Sequence, residues 1–243
     1  MKNTVIIIPT RLGAKRFQNK PLAKINNVPM IIHVLNRAKE SNVGDVIVAT
    51  PDDEILEVVE KNGGKAILTK GDYLSGSDRI FEVYKRELMN DIDLIINLQG
   101  DMPNIKPNAI SKLVNLMRDS SCDIGTLASQ IRNKKDIYNK DIVKVHTKDS
   151  LNISNFLDAK DFFREKKYLD DKKIYHHIGI YAFTTAALTK YTKFPRSKLE
   201  VERNLEQMRA MENNLVIKVG LCDSAPLGVD TEQDLIKVTQ EMN

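Results

Sequence analysis

The sequence has few cysteines and no long apolar run, and each absence restricts what the protein can be. Its 243 residues include two cysteines, Cys122 and Cys222, and no C-x-x-C pair, which excludes a disulfide framework and a thiolate zinc site. Free cysteine is among the most often buried residue types, so we predict buried thiols in a reducing compartment. The apolar run from Val5 to Ile8 is too short for a signal-peptide core or a membrane span. We therefore expect a cytoplasmic protein with no membrane partner.

A strong excess of one charge is also missing. Lys plus Arg number 37 and Asp plus Glu number 33, which gives a net charge of +4. No dense basic tract is present. The short run of Arg132, Lys134 and Lys135 is typical of a solvated loop. The balance excludes a nucleic-acid partner and suits small anionic substrates.

The remaining composition, 42% hydrophobic and 29% charged, is that of a globular protein with a sizeable core. Short apolar runs alternate with helical patterns, which predicts an α/β fold with a doubly wound, mostly parallel sheet. The less periodic stretch 132–173 predicts an insert or lid. We predict strands at 5–8, 46–49, 66–69, 94–98, 177–183 and 216–221, and helices at 30–39, 52–62, 78–87 (capped by Ser77), 107–118, 199–212 and 231–238.

Four cations follow the first predicted strand. Arg11, Lys15, Arg16 and Lys20 lie within ten residues of a loop, at the strand end where α/β folds bind ligands. Backbone amides of a small-residue turn together with cations are what phosphates require. The loop carries neither the Walker pattern nor the G-x-G-x-x-G fingerprint, which disfavours a nicotinamide-dependent dehydrogenase. A phosphate-binding loop and a basic surface loop both remain open.

Two carboxylates stand at positions suited to a metal. Asp101 ends the buried strand in the segment Q-G-D-M-P, where it either makes a turn or binds a hard divalent cation. Asp230, in V-D-T, either caps the last helix together with Thr231 or is a second metal ligand. The sequence alone does not show whether the two carboxylates are close.

Two further segments offer polar side chains. In G-S-D-R, Arg79 presents a guanidinium that is either solvated or binds a carboxylate. In H-H-I-G-I-Y, strand alternation places His177 and Tyr181 on one face. Helical periodicity predicts a solvated face for the side chains Glu200, Glu206 and Gln207.

In this order, the segments resemble one family from Ile6 to about Leu235. The motifs I-P-x-R, K-P-L, V-A-T, S-G-S-D-R, Q-G-D-x-P, H-I-G-I-Y, L-E-Q-x-R and V-D-T-x-x-D-L are similar to those of the 3-deoxy-manno-octulosonate (Kdo) cytidylyltransferases. The resemblance implies a Rossmann-like nucleotide-diphospho-sugar transferase fold in one domain, 1–243. It also implies that a smaller part, about 130–215, forms a lid and joins a homodimer.

The resemblance implies transfer of CMP from CTP to the anomeric hydroxyl of Kdo, for lipopolysaccharide synthesis, with Mg²⁺ as cofactor. The implied catalytic residues are Arg11, Lys20 and Asp101, and the implied metal ligands are Asp101 and Asp230. The implied nucleotide contacts are Pro9, Arg11, Arg16, Lys20, Ser75, Gly76, Asp78 and Gln99. The implied sugar contacts are Arg79, Gln99, His177, Tyr181, Glu206 and Gln207.

The chain departs from the family pattern at several positions. Lys15 and Met102 stand where the family has a hydroxyl residue and a glutamate, and Asn155 stands where it has an arginine. The last departure leaves open another acidic sugar, such as an amino-Kdo or a nonulosonic acid. A non-catalytic nucleotide-binding regulator is the rival from a different class, and retention of both Asp101 and Asp230 argues against it.

Overall fold

A computed structural model describes residues 3–13, 16–73, 75–89, 91–165 and 171–242. The chain divides into two compact units. The first contains residues up to Ser111 and those from Pro226 onward, and the second is Lys112–Ala225. No helix among the described residues is long and apolar enough to cross a membrane.

A parallel sheet forms the centre of the first unit. It contains β1 (Thr4–Pro9), β4 (Asp45–Thr50), β5 (Lys65–Leu68) and β6 (Leu94–Leu98). Their order in the sheet is β5-β4-β1-β6, and each of these neighbouring pairs is parallel. Val5 to Ile8 are fully buried, as expected of a strand covered on both faces. The chain adds β4 and β5 on one side of β1 and β6 on the other, so the segments after β1 and β6 leave the same edge. A separate two-stranded sheet is formed by β2 (Lys24–Ile25) and β3 (Val28–Pro29).

The helices of the first unit follow the predicted order. They are α1 (Met30–Glu40), α2 (Asp53–Lys61), α3 (Gly76–Glu87) and α8 (Glu232–Glu241), and α4 (Pro107–Arg118) runs across the boundary between the units. The prediction that Ser77 caps α3 is wrong. Ser75 is the N-cap, and its hydroxyl accepts a hydrogen bond from the Asp78 amide. Ser77 is buried instead, and its hydroxyl accepts a hydrogen bond from the Asn97 side chain.

The C-terminal segment is fixed against the basic loop by apolar packing and one backbone bond. Val229 and Val238 pack with Ile25 and Met30, and Phe17 of the loop lies against this cluster. The Val229 amide donates to the Asp101 carbonyl at 3.0 Å. This bond brings the residue after Val229 to the end of β6.

The strands of the second unit pair in a different pattern. The strand order β10-β7-β11-β9-β8 closes on itself, because β8 pairs with both β9 and β10. Only β7 and β11 are parallel among the described pairings of this unit. The prediction of an α/β fold is confirmed. The prediction of a mostly parallel sheet holds for the first unit only. The strands are β7 (Ile124–Ser129), β8 (Lys144–Thr147), β9 (Phe156–Phe163), β10 (Ile174–Thr184) and β11 (Ile217–Cys222).

The predicted helix 199–212 is two short helices. The second unit contains α5 (Thr185–Tyr191), α6 (Lys198–Arg203) and α7 (Gln207–Glu212). Asn204 adopts the left-handed conformation (φ 52°, ψ 51°) and ends α6, a backbone state that asparagine tolerates. The break ends α6 at Arg203, and α7 begins separately at Gln207.

The less periodic stretch 132–173 contains β8 and β9 as well as loops. Arg132, Lys134 and Lys135 are exposed, as predicted, but Lys134 and Lys135 begin a short 3-10 helix (Lys134–Ile137) and do not lie in a loop. Cys222 is buried, and burial raises the pKa of its thiol to about 11. Cys122 is only half-buried, so the prediction of two buried thiols holds for one of them.

Candidate active site

A cleft of about 230 Å³ opens at the edge of the parallel sheet where β1 and β6 end. Its volume lies somewhat below the range of about 300–1,000 Å³ typical of ligand pockets. Six of the eight residues expected to contact the nucleotide line it, namely Pro9, Arg11, Lys20, Ser75, Gly76 and Gln99. Arg79 and Asp101 line the same cleft, and so do Thr10, Pro21, Tyr73 and Gly100, which the sequence had not singled out.

The cleft is strongly cationic at its walls. Arg79 is 4% exposed, donates to the Thr69 hydroxyl and lies 5.5 Å from the centre of the Tyr73 ring. Burial, and then the charge of Arg11, lower the pKa of Arg79. Two guanidinium groups that repel each other across a partly buried site favour binding of an anion between them.

Two glycines let three segments meet at the cleft. A Cβ on Gly76 would lie 3.1 Å from the Pro9 ring, and one on Gly100 would lie 3.2 Å from the Thr10 side chain. Both distances are tighter than ordinary contacts, so a larger residue would push α3 or β6 away from the end of β1. The glycines of the S-G-S-D-R and Q-G-D motifs therefore have a packing role.

The basic loop is anchored by a carboxylate from a neighbouring element. The Leu12 amide donates to Oδ2 of Asp52 at 2.8 Å, and the Asp52 amide in turn donates to the Thr50 hydroxyl at 3.1 Å. Asp52 precedes α2 but makes no side-chain cap bond to it. The carboxylate thus fixes the residue next to Arg11. Lys15 of the same loop lies outside the described residues.

Asp101 and Asp230, which the sequence could not place together, share one ammonium group. Nζ of Lys20 lies 3.1 Å from Oδ2 of Asp101 and 3.4 Å from Oδ1 of Asp230, and donates to the Val229 carbonyl at 2.7 Å. Arg16 also pairs with Asp230, at 2.9 Å. Among the described residues, no group of three or more His, Cys, Asp or Glu side chains is arranged to hold a metal. Two carboxylates around one cationic position do fit Mg²⁺, which takes one or two carboxylates plus phosphate and water oxygens.

Two of the residues expected to contact the nucleotide do not line the cleft. Arg16 is exposed and faces Asp230. The Asp78 carboxylate accepts a hydrogen bond from the Ser75 hydroxyl at 2.7 Å, and its amide donates back to Ser75. These contacts give Asp78 a capping role at the start of α3.

The sugar contacts implied by the resemblance fall into both units. Arg79 and Gln99 belong to the first unit, and the other four belong to the second. Within the second unit, the rings of His177 and Tyr181 lie 5.5 Å apart, which confirms the predicted shared face. Burial, and then the charge of Glu206, raise the pKa of Tyr181 well above its ordinary value. His177, Tyr181 and Glu206 therefore form one polar group.

The prediction of a solvated face for Glu200 and Gln207 is wrong. Glu200 is 1% exposed and receives two hydrogen bonds from Arg209, at 2.8 and 2.9 Å. Gln207 is buried, and its Nε2 has no hydrogen-bond partner in the described part of the chain. A buried amide without a partner is costly, and a ligand that accepts a hydrogen bond would remove that cost. Glu206 between them is half-buried.

Among the described residues near this departure, the side chains of Asn155 and Arg164 bond to backbone groups. The Asn155 side chain accepts from the Asn152 amide at 2.8 Å and donates to the Ser150 carbonyl at 3.1 Å, so it closes a turn. The guanidinium of Arg164 donates to the Lys140 and Asp141 carbonyls.

The first unit combines a parallel sheet, a cationic cleft at its strand ends and two adjacent carboxylates, which is the arrangement of a nucleotidyltransferase. The cytidylyltransferase family profile matches residues 5–218. The chain is 43% identical over 233 residues to 3-deoxy-manno-octulosonate cytidylyltransferase of Rhodopseudomonas palustris (strain BisB5), covering 96% of this chain and 94% of that protein. It is 41% identical to the enzyme of the same name from Brucella canis (strain ATCC 23365 / NCTC 10854 / RM-666), covering 96% and 92%.

A solved structure of CMP:2-keto-3-deoxy-manno-octonic acid synthetase complexed with CTP superposes with a TM-score of 0.88. That protein is 36% identical, and the match covers 99% of this chain and 98% of the other. The chain belongs to the family of 3-deoxy-manno-octulosonate cytidylyltransferases.

Proposed function

We propose that this protein transfers CMP from CTP to the anomeric hydroxyl of Kdo, the reaction of 3-deoxy-manno-octulosonate cytidylyltransferase (EC 2.7.7.38). The observation that carries the proposal is the convergence of Arg11, Lys20, Arg79 and Asp101 on one cleft, beside Asp230. The match to a CTP-bound relative supports CTP as the nucleotide. The product, CMP-Kdo, would serve lipopolysaccharide synthesis.

In the proposed reaction the anomeric oxygen of Kdo attacks the α-phosphorus of CTP. The bond from that phosphorus to the bridging oxygen of pyrophosphate breaks, pyrophosphate leaves, and the hydroxyl proton passes to solvent. Arg11 and Lys20 hold the triphosphate and neutralise its charge, while Ser75, Gly76 and Gln99 border the nucleotide. Positioning and charge neutralisation supply most of the catalysis in such transfers.

Asp101 and Asp230 would hold Mg²⁺, which when bound neutralises the α-phosphate and lowers the pKa of the attacking hydroxyl. Arg79 pairs with the carboxylate of the sugar acid, and His177, Tyr181, Glu206 and Gln207 meet its hydroxyls. We further propose a cytoplasmic homodimer joined through the part of the chain at about 130–215. Sedimentation at several concentrations tests the dimer.

Pyrophosphate release tests the reaction. Purified protein is incubated with Mg²⁺, Kdo and one of CTP, ATP, GTP or UTP, and each reaction is repeated with a chelator. We expect release with CTP that stops on chelation. Asp101→Asn should lower kcat about 100-fold, since a metal supplies several kcal/mol, whereas the exposed Asp45 offers a matched control in Asp45→Asn.

The outcomes separate the rival functions. Release with an amino-Kdo or a nonulosonic acid, but not with Kdo, would keep the mechanism and change the sugar, as the Asn155 departure allows. CTP binding without release in the presence of any sugar acid would contradict the proposal and identify a nucleotide-binding regulator.

A further inference from the structure

The buried hydroxyl of Thr126 in β7 has three polar neighbours in β10. Its Oγ1 lies 3.0 Å from Nε2 of His177, 3.2 Å from the Ile178 carbonyl and 2.7 Å from the Ile180 carbonyl. Thr126 itself is completely buried. Solvent therefore does not compete for any of these hydrogen bonds.

This contact sits at an irregularity in strand pairing. His177 pairs with Ala128 and Tyr181 pairs with Thr126, so the five residues 177–181 of β10 span the three residues 126–128 of β7. The two extra residues turn the carbonyls of Ile178 and Ile180 toward one hydroxyl. The irregularity also leaves His177 and Tyr181 on the same face, with their rings 5.5 Å apart. Bulges of this kind often aim a side chain beside an active site.

The number of protons and lone pairs on each group sets which group donates in each hydrogen bond. A hydroxyl carries one proton and two lone pairs, while a carbonyl oxygen only accepts. The Thr126 proton therefore goes to a carbonyl, that of Ile180 being nearer. Oγ1 then accepts from His177, which requires the ring proton on Nε2.

The other ring nitrogen follows from the charge of the ring. Burial, and then the charge of His176, lower the pKa of His177 from 6.5 to about 3, so the ring is neutral at physiological pH and carries one proton. With that proton on Nε2, Nδ1 keeps its lone pair. The edge of the Phe162 ring packs against His177, with centroids 4.9 Å apart at 77°, which restricts rotation of the imidazole.

We propose that Thr126 is a positioning residue: its hydroxyl holds the β10 irregularity and fixes His177 in the Nε2–H tautomer, so that Nδ1 accepts a hydrogen bond from a hydroxyl of the sugar acid. The substrate part rests on the proposed function. An acceptor at Nδ1 selects groups that carry a proton and disfavours a carboxylate or phosphate. His177 thus discriminates the hydroxyl-bearing part of the sugar from its acid group.

The test compares Thr126→Val, which keeps the shape and removes the hydroxyl, with Thr126→Ser, which keeps the hydroxyl. Ring ¹⁵N shifts of His177 in the free protein, assigned with His177→Gln, report the tautomer without any substrate. We expect Nε2–H in the wild type and Thr126→Ser, and a tautomer mixture in Thr126→Val. Steady-state kinetics should show a KM for Kdo raised about tenfold in Thr126→Val, the effect of one lost hydrogen bond, with the KM for CTP unchanged.

Several results would overturn the proposal. Wild-type His177 with its proton on Nδ1 would do so even if Thr126→Val fails to fold. If Thr126→Val shows the same His177 tautomer and the same KM for Kdo as Thr126→Ser and the wild type, the Thr126 hydroxyl does not position His177. Absence of turnover with Kdo in the wild type is a failure of the proposed function, and the ¹⁵N measurement still decides the tautomer.

Discussion

Nζ of Lys20 lies 3.1 Å from Oδ2 of Asp101, so the cation of the basic loop rests on the carboxylate at the end of β6. The same ammonium lies 3.4 Å from Asp230. It occupies the position between the two carboxylates that a divalent cation would need. In the free protein, Lys20 and a divalent cation therefore compete for the two carboxylates. When a triphosphate binds, its phosphates are an alternative partner for the Lys20 ammonium.

Lys20→Met should strengthen Mn²⁺ binding in the absence of nucleotide. One unit charge about 4 Å from a carboxylate in water is worth about 1 kcal/mol, which corresponds to a gain in affinity of about fivefold. Electron paramagnetic resonance of free Mn²⁺ during a titration measures this directly. The exposed Lys24 of the same unit gives the control Lys24→Met. Unchanged Mn²⁺ affinity in Lys20→Met would show that the ammonium does not compete.

Asp52→Ala should weaken CTP binding although Asp52 does not line the cleft. The change removes the carboxylate that accepts a hydrogen bond from the Leu12 amide at 2.8 Å. Leu12 directly follows Arg11 in the chain, so the position of Arg11 depends on this bond. A hydrogen bond to a charged group contributes about 1.5–3 kcal/mol, so the KM for CTP should rise at least about tenfold. Asp52→Asn keeps an oxygen acceptor and should recover most of the affinity.

Unfolding measurements separate positioning from stability in this experiment. Because Asp52→Asn keeps an acceptor for the Leu12 amide, it should unfold near the wild-type urea concentration, whereas Asp52→Ala should lose up to the roughly 1.5–3 kcal/mol of that bond. A KM for CTP that rises while the protein is still fully folded reports positioning. If both variants have the same KM for CTP as the wild type, Asp52 does not position the loop.

Glu200→Gln should destabilise the second unit strongly. Glu200 and Arg209 have side chains 1% and 3% exposed and are joined at 2.8 Å, while the Arg209 guanidinium lies 4.5 Å from the Tyr191 ring centre. Removing one partner of a buried pair leaves the other charge uncompensated and costs about 3–5 kcal/mol. Urea unfolding gives the free energy of unfolding.

The same helix supplies the control for this prediction. Glu202 is exposed and lies 3.8 Å from Lys198, so Glu202→Gln should change the free energy of unfolding by at most about 1 kcal/mol. If Glu200→Gln is as stable as Glu202→Gln, the buried pair contributes nothing beyond a surface ion pair.

Much of the first unit was predictable because its signals are local. Apolar runs set β1, β4 and β6, and the strand ends located the cleft. The pairing of both Asp101 and Asp230 with Lys20 was not predictable, since it depends on a backbone bond between Val229 and Asp101, which are far apart in sequence. Asn97, Thr126 and Asp52 were missed as partners for the same reason: each acts through a neighbouring strand or loop.

The errors in the second unit have a local cause and a tertiary cause. Helical periodicity was applied across Asn204, whose left-handed conformation breaks the helix. The capping box of Ser197 and Glu200 was a signal that this glutamate begins a helix and does not lie on a solvated face. Burial of Glu200 by Arg209 and Arg196 required tertiary contacts that no pattern in the sequence shows.

Acid should destabilise the wild type more than His177→Gln. The folded pKa of His177, about 3, lies below its ordinary value of 6.5, so the unfolded chain takes up the proton first. The stability that neutral His177 contributes is complete above pH 6.5 and is lost as the pH falls toward 3. Between pH 7.5 and pH 5.5 the wild type should lose about 1.4 kcal/mol more than His177→Gln.

Urea unfolding of both proteins at pH 7.5, 6.5 and 5.5 measures this difference. The charge of His176 acts on His177, but His176 is present in both proteins, so the comparison isolates the buried ring. Parallel stability curves for the two proteins would mean that His177 takes up a proton in the folded state near its ordinary pKa. In that case the ring would carry protons on both nitrogens at mildly acidic pH, and Nδ1 would be a donor where the proposed sugar contact needs an acceptor.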